Sequence, residues 1–84
     1  MKAEELLPII VKALVKNPDQ VKVEKTVNEM GTILTIHCDK EDIKYIVGRR
    51  GKTFRALRTI TYNVGAKNKQ KVTIIIHEEK KEKE

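Results

Sequence analysis

The 84-residue chain is short, basic and rich in charged residues, and these properties exclude several classes of protein. Its length predicts one small domain, in which we expect no deep catalytic cavity. No run of about 18 apolar residues occurs, so we expect no membrane span, and no basic segment precedes an apolar stretch as it does in a secretory signal. Cys38 is the single cysteine, which excludes an internal disulfide and fits the reducing cytoplasm.

The net charge of +6 is distributed unevenly along the chain. Residues 1–38 are neutral overall, residues 39–77 carry a net charge of +7, and residues 78–84 carry −1. All four arginines lie between positions 49 and 58, and arginine suits phosphate recognition better than lysine does. Basic charge usually serves solubility alone, but this concentration favours a polyanionic partner, above all nucleic acid.

The first predicted element is a helix over residues 4–16. Apolar residues recur there at helical spacing, at Leu6, Ile10, Ala13 and Leu14. Pro8 fits this helix only in the first turn, where its missing N–H is not needed, and elsewhere we expect a kink. Asn17, Pro18 and Asp19 then predict the end of the helix.

A predicted hairpin follows the first helix. Val21, Val23 and Val27 alternate with polar residues and predict a half-buried strand. Residues 28–31 predict the hairpin turn, with its glycine at a positive φ. The nearly continuous apolar stretch over residues 32–38 predicts a strand in the middle of the sheet.

The last predicted strand covers residues 72–77, and one of its faces carries Val72, Ile74 and Ile76. The charged residues 78–84 contain no apolar member and predict a disordered tail. The chain shows no internal repeat, so we expect a single domain over residues 1–77.

Two helices are predicted between the second and third strands, around a glycine-containing turn. Asp39 is a suitable N-cap for the first, with Asp42 completing an arrangement similar to a capping box, and Gly48 ends it. The second helix is predicted to run to about Asn63 and to stop at Gly65. Its predicted buried side consists of Phe54, Leu57, Ile60 and Val64.

The turn itself, Gly48-Arg49-Arg50-Gly51, predicts a cradle for a phosphodiester backbone. Glycine has no Cβ and lets another backbone approach closely, and the helix that follows presents unpaired N–H groups and the positive end of its dipole. An ordinary helix–helix connection is the alternative reading of two glycines. The basic ridge on the turn and the helix consists of Arg49, Arg50, Lys52, Arg55 and Arg58, with Tyr62 one turn later.

The predicted order is α-β-β-α-α-β in an α+β domain. The hairpin pairs the first two strands antiparallel, whereas a two-helix crossover favours parallel pairing of the second and third. We therefore predict a three-stranded mixed sheet with three helices packed on one face.

This order and this turn resemble the type II, prokaryotic KH domain, whose G-x-x-G loop clamps single-stranded nucleic acid. The chain length and the opening stretch EELLPIIVKALVKNPDQVKVE are similar to the small bacterial single-KH proteins of the KhpA type. Two departures from the family pattern are Val47, where isoleucine is common, and a second basic residue between the glycines. We expect the extra cation to strengthen phosphate contact without changing its kind.

The resemblance implies an RNA-binding protein that acts as an RNA chaperone or post-transcriptional regulator. It implies a homodimer, or a heterodimer with a larger KH-containing protein. Val47 and Phe54, with Ile33 or Ile36, would line a groove for the bases, and plain core packing is the alternative for these side chains. The implied RNA-binding residues are Val47, Gly48, Arg49, Arg50, Gly51, Lys52, Phe54, Arg55 and Arg58.

Two other functions stay open at this point, namely a protein-interaction or dimerisation module with secondary nucleic-acid binding, and binding of single-stranded DNA. We expect no metal or other cofactor, because His37 and Cys38 are adjacent in a strand and point to opposite faces, and His77 leaves the set too small for a zinc site. We expect no enzyme, because the chain lacks serine and Cys38 has no evident orienting partner.

Overall fold

The computed structural model describes residues 1–77, and the tail predicted over residues 78–84 lies outside the described residues. The helices and strands follow the predicted α-β-β-α-α-β order. They are α1 (Ala3–Leu14), β1 (Lys22–Asn28), β2 (Gly31–His37), α2 (Ile43–Val47), α3 (Lys52–Lys67) and β3 (Val72–Ile76), with short 3₁₀ turns at Pro18–Gln20, Lys40–Asp42 and Arg49–Gly51.

The three strands form the predicted mixed sheet in the order β1-β2-β3. β1 and β2 pair antiparallel across a hairpin in which Asn28 lies opposite Gly31, and Gly31 has the predicted positive φ, at 133°. β2 and β3 pair parallel, with Thr32 opposite Val72. β2 is therefore the middle strand, as predicted.

The helices cover one face of this sheet. Alternate residues of β2 are buried, and Leu34 and Ile36 have no exposed surface. They pack with apolar side chains of every helix and of β3. The core residues are Ala3, Leu7, Val11, Leu34, Ile36, Ile46, Leu57, Val72 and Ile74.

The first helix ends earlier than predicted, and the first strand is less buried than predicted. α1 ends at Leu14, and Pro8 is its sixth residue, beyond the first turn. Because proline has no N–H, the carbonyl of Glu4 receives no helical hydrogen bond from it. In β1 the side chain of Val27 is 66% exposed, since it lies at the hairpin end of the strand.

Asp42 does not complete a capping box, which corrects the sequence prediction. Asp39 does act as a cap, and its carboxylate accepts a hydrogen bond from the Glu41 N–H at 2.9 Å. The Asp42 carboxylate is buried and instead accepts from the backbone N–H groups of Lys16 and Asn17, at 3.3 and 2.9 Å. It thereby holds the chain after α1 against the start of α2.

Gly65 does not end α3, which continues to Lys67. An added Cβ at Gly65 would lie 3.1 Å from the Cβ of Val72, so this glycine lets the helix lie close to β3. The buried side of α3 also differs from the prediction, because Ile60 is 42% exposed whereas Thr61 is buried. The Thr61 hydroxyl donates to the carbonyl of Leu57 at 2.9 Å, which satisfies this polar group in the core.

Candidate nucleic-acid interface

A tight turn joins α2 to α3 and contains both glycines of the G-x-x-G motif. The Gly48 N–H donates to the Lys44 carbonyl at 2.9 Å, and the Gly51 N–H donates to the Gly48 carbonyl at 3.2 Å. Arg50 lies between them with φ at 55°, in the left-handed region. That conformation costs a non-glycine residue about 1 kcal/mol, so the turn holds a strained arginine at its apex.

The two glycines are needed for different physical reasons. At Gly48, φ is 77° and ψ is 176°, a region that only glycine occupies readily, and an added Cβ would lie 2.6 Å from the Cβ of Thr53. Gly51 is in the left-handed helical region, at φ 74° and ψ 13°, and an added Cβ there would meet nothing within 4 Å. Gly48 is thus required by internal packing, whereas the space beside Gly51 is open to a ligand.

The N-terminus of α3 lacks the groups that usually stabilise a helix start. Its N-cap is Gly51, which provides no side-chain hydrogen bond, and its first turn contains no acidic residue and begins with Lys52. The first backbone N–H groups of a helix have no partner within the helix, and the helix dipole places positive potential there. This end of the 16-residue helix is therefore electrostatically suited to an anion.

Among the described residues, no acidic side chain forms a salt bridge with the cations around this helix start. Residues 43–77 contain no aspartate or glutamate, and the salt bridges among the described residues join Lys25 to Glu4 and His37 to Glu24. Within residues 1–77, the exposed cations of the turn and of the first two turns of α3 form no salt bridge, and they are Arg49, Arg50, Lys52, Arg55 and Arg58.

Two of these arginines also contact neighbouring groups of the turn and helix. The Arg55 guanidinium donates to the carbonyl of Arg50 at 3.0 Å, which ties α3 to the apex of the turn. The Arg58 guanidinium lies 5.9 Å from the centre of the Phe54 ring, within the range of a cation–π contact. Arg55 therefore positions the turn as well as contributing charge to it.

An open cavity of about 360 Å³ continues this basic surface between α3 and β3. Arg55 and Arg58 form one side of it, and the start of β3 forms the other. Its lining consists of Arg55, Arg58, Thr59, Tyr62, Asn63, Val72 and Thr73.

Ile33 and Ile36, the strand residues predicted to line an apolar groove, do not line this cavity. Ile36 is completely buried in the core, and Ile33 lies on the sheet face away from the helices, opposite Thr73 of β3. Val47 and Phe54 are half-buried, and Phe54 packs against the core. The strand that borders the basic surface is β3 and not β2, because α3 leads directly into β3 and lies beside it.

Known proteins resemble the chain over nearly its whole length. Residues 4–76 match the family model described as the KH domain of KhpA and KhpB. The chain belongs to this KH-domain family. It is 40% identical to the "RNA-binding protein KhpA" of Listeria monocytogenes over 77 residues, which cover 89% of this chain and 99% of the relative. It is 39% identical to the protein of the same name from Borreliella burgdorferi, over 86% of this chain and 88% of the relative.

A relative from Chlamydia pneumoniae carries the same name and is 34% identical, over 92% of this chain and 99% of the relative. Comparison with solved structures found no significant match. The relatives are of similar length, and the family match confirms the resemblance drawn from the G-x-x-G turn and the element order.

His37, His77 and Cys38 are the chemically reactive side chains that the sequence singled out away from the turn. His37 and His77 have ring centres 4.7 Å apart, and the His37 imidazole contacts Glu24 at 2.9 Å, but no group of three metal-ligating side chains occurs within residues 1–77. Burial raises the pKa of the Cys38 thiol, and the carboxylates of Asp42 and Asp39 raise it further. A thiol held in its protonated form is a poor nucleophile.

No helix within the described part of the chain is long and apolar enough to cross a membrane. The polar cavity-lining residues that the sequence did not single out are Thr59, Asn63 and Thr73. They are small polar side chains without a motif, and only the packing of α3 beside β3 brings them next to the arginines.

Proposed function

We propose that this protein binds single-stranded RNA by holding its sugar–phosphate backbone at the G-x-x-G turn. The turn and the start of α3 would contact phosphates through backbone N–H groups and through the side chains of Arg49, Arg50 and Lys52. The names of the KhpA relatives support RNA as the ligand.

The start of α3 is the observation that carries this proposal. Five exposed cations surround a helix N-terminus that has no acidic residue in its first turn. These charges repel one another and oppose the helix dipole, and no acidic side chain within residues 1–77 forms a salt bridge with them to supply a counter-charge. A phosphodiester backbone supplies that counter-charge at the helix N-terminus.

The bases would turn from the clamp toward the surface between α3 and β3. Val47 and Phe54 provide half-buried apolar surface beside the turn, and Arg55 and Arg58 lead to the cavity that contains Tyr62. Arginine planes and an aromatic ring provide stacking surfaces that tolerate any base. This predicts weak sequence preference and suits an RNA chaperone or post-transcriptional regulator in the cytoplasm.

We further propose that the protein acts as a dimer, either with itself or with a larger KH-containing protein. One KH clamp covers about four nucleotides, so a single copy binds weakly, and a second linked copy raises the apparent affinity. Exposed aliphatic side chains include Ile9 and Ile60 on the helices and Ile75 on the uncovered face of the sheet, so more than one surface offers apolar area to a second subunit. Sedimentation velocity over a range of concentrations tests this, and a monomer at all concentrations would refute the homodimer.

The RNA-binding proposal is tested by charge reversal at the turn. The double variant Arg49→Asp/Arg50→Asp should bind single-stranded RNA at least tenfold more weakly, and its affinity should depend less steeply on salt, because fewer phosphates are neutralised. The matched control is Lys22→Asp/Lys69→Asp, which makes the same change of net charge at two exposed positions outside the turn. Circular dichroism checks that both variants remain folded.

The outcome separates the clamp from its alternatives. Equal losses in the two variants would mean that net charge alone drives binding and would refute the clamp. Wild-type protein that binds no RNA but still dimerises would support the protein-interaction module. Equal affinity for DNA and RNA strands of the same sequence would show that the ribose 2′-hydroxyl is not read.

A further inference from the structure

A second open cavity, of about 440 Å³, lies at the end of α2 away from the G-x-x-G turn. It is bounded by the chain after α1 on one side and by α2 with its preceding turn on the other. Lys16, Lys40, Glu41, Asp42, Lys44 and Tyr45 line it. Its volume is within the range of small-molecule sites, so it is large enough for one nucleotide.

Tyr45 is the aromatic side chain of this cavity and is half-buried. The ammonium group of Lys44 lies 5.3 Å from the centre of its ring, and that of Lys16 lies 5.8 Å from it. Both distances are within cation–π range. The cavity therefore combines a flat apolar ring with flexible cations at its edge, the pair of features with which single-stranded nucleic acid is bound.

The charge of this cavity is positive in spite of its two acidic residues. The Asp42 carboxylate is buried and accepts hydrogen bonds from the Lys16 and Asn17 backbone and from the Asn17 side-chain amide. The carboxylate oxygens of Asp42 are thus occupied by hydrogen bonds to the chain that forms one wall of the cavity. Glu41 is exposed and lines the cavity together with three exposed lysines, none of which forms a salt bridge within residues 1–77.

We propose that this cavity binds one nucleotide of the same RNA strand that the G-x-x-G turn holds, with the base against Tyr45 and a phosphate on the lysines. A base that stacks on the ring displaces one ammonium group, which is then free to meet the phosphate. This inference rests on the proposed RNA-binding function and extends it beyond the KH clamp.

The position of the cavity makes such an extension short. Tyr45 precedes Gly48 by three residues, so the two features are about one helical turn apart along α2, or about 5 Å. The Gly48 N–H donates to the carbonyl of Lys44, which borders the cavity. A strand leaving the turn along α2 therefore reaches Tyr45 without crossing an acidic surface, because Ile43–Val47 contains no acidic residue.

The test compares a strand of about four nucleotides, the length one clamp covers, with a strand of about twelve nucleotides. Tyr45→Leu should bind the longer strand about fivefold or more weakly, the loss expected for one stacked base, and the shorter strand with unchanged affinity. Tyr45→Phe keeps the ring and should bind both strands as the wild type does. Arg49→Asp/Arg50→Asp should weaken both strands.

A second variant keeps the proposal testable if Tyr45→Leu is unstable. Lys44→Gln should lower the salt dependence of the longer strand by about 0.7 in slope, as for one phosphate on a single strand, whereas the matched Lys22→Gln should not.

Unchanged affinity of Tyr45→Leu and Lys44→Gln for the longer strand would overturn this site and leave the clamp intact. No binding of either strand by the wild type would overturn both. NMR shifts of the Tyr45 ring with a free mononucleotide, but not with the longer strand, would assign the cavity to a free nucleotide and overturn the proposal.

Discussion

The two glycines of the turn should respond unequally to the same substitution. Gly48→Ala places a side chain in backbone conformation that only glycine adopts readily, at φ 77° and ψ 176°, and brings a Cβ within 2.6 Å of the Thr53 Cβ. Gly51→Ala places one in the left-handed helical region with no neighbour within 4 Å. The first change therefore adds strain and a collision, whereas the second adds strain alone.

The expected magnitudes follow from these two differences. Left-handed strain costs an alanine about 1–2 kcal/mol, which is the whole expected loss for Gly51→Ala. Gly48→Ala adds about 1–3 kcal/mol for overpacking against Thr53, so we expect a total loss of about 2–5 kcal/mol. The free energy of unfolding of a domain is typically about 5–15 kcal/mol, so the loss expected for Gly48→Ala would remove a large part of it.

Urea denaturation followed by circular dichroism measures both losses. The change of midpoint at a constant m-value gives the free energy of unfolding of each variant. Gly51→Asn is a useful companion, because asparagine tolerates the left-handed region better than alanine does, and it should recover part of the loss. Equal destabilisation by Gly48→Ala and Gly51→Ala would refute the assignment of packing to one glycine and open space to the other.

Three further predictions concern the rest of the fold. Asp42→Ala removes the acceptor of two backbone N–H groups and should lower the free energy of unfolding by about 2–4 kcal/mol in urea denaturation. Loss of an ordinary helix cap costs about 1 kcal/mol, so a loss no larger than that would refute the bridging role of Asp42. Because the pKa of Cys38 is raised above its ordinary value of 9.0, the folded protein keeps a proton that the unfolded chain loses. Stability should therefore fall as pH rises through 9.0 and above, and less so in Cys38→Ala; identical pH profiles would contradict this. Gly65→Ala should destabilise the protein although alanine has the better helix propensity, because the added Cβ meets Val72. The double variant Gly65→Ala/Val72→Ala should lose less free energy of unfolding than the sum of the two single variants, and strict additivity would contradict the contact.

The amino-acid sequence by itself determined the order of the elements and the chemistry of the turn. Alternation of apolar residues marks each strand, and helical spacing marks each helix, because these periods follow from local backbone geometry. The G-x-x-G turn and its cations are contiguous in the chain or one helical turn apart, so their proximity needs no tertiary contact. For the same reason the KH resemblance was visible before the fold.

Only the tertiary structure decided features that depend on what lies beside an element. Gly65 has the sequence features of a helix stop, but its missing side chain serves the approach of α3 to β3. Asp42 fits a local cap, but its carboxylate bonds to the chain after α1, about 25 residues away.

The same limit applies to the candidate sites. Ile36 was a groove candidate, yet it belongs to the core because the helices cover its face of β2. Tyr45 and Lys16 are 29 positions apart in the chain. The periods of a strand (2 residues) and of a helix (3.6 residues) relate only residues of the same element, so they do not predict that this pair is close. The sequence determines which face of an element is apolar, and packing between elements decides which of its polar residues meet.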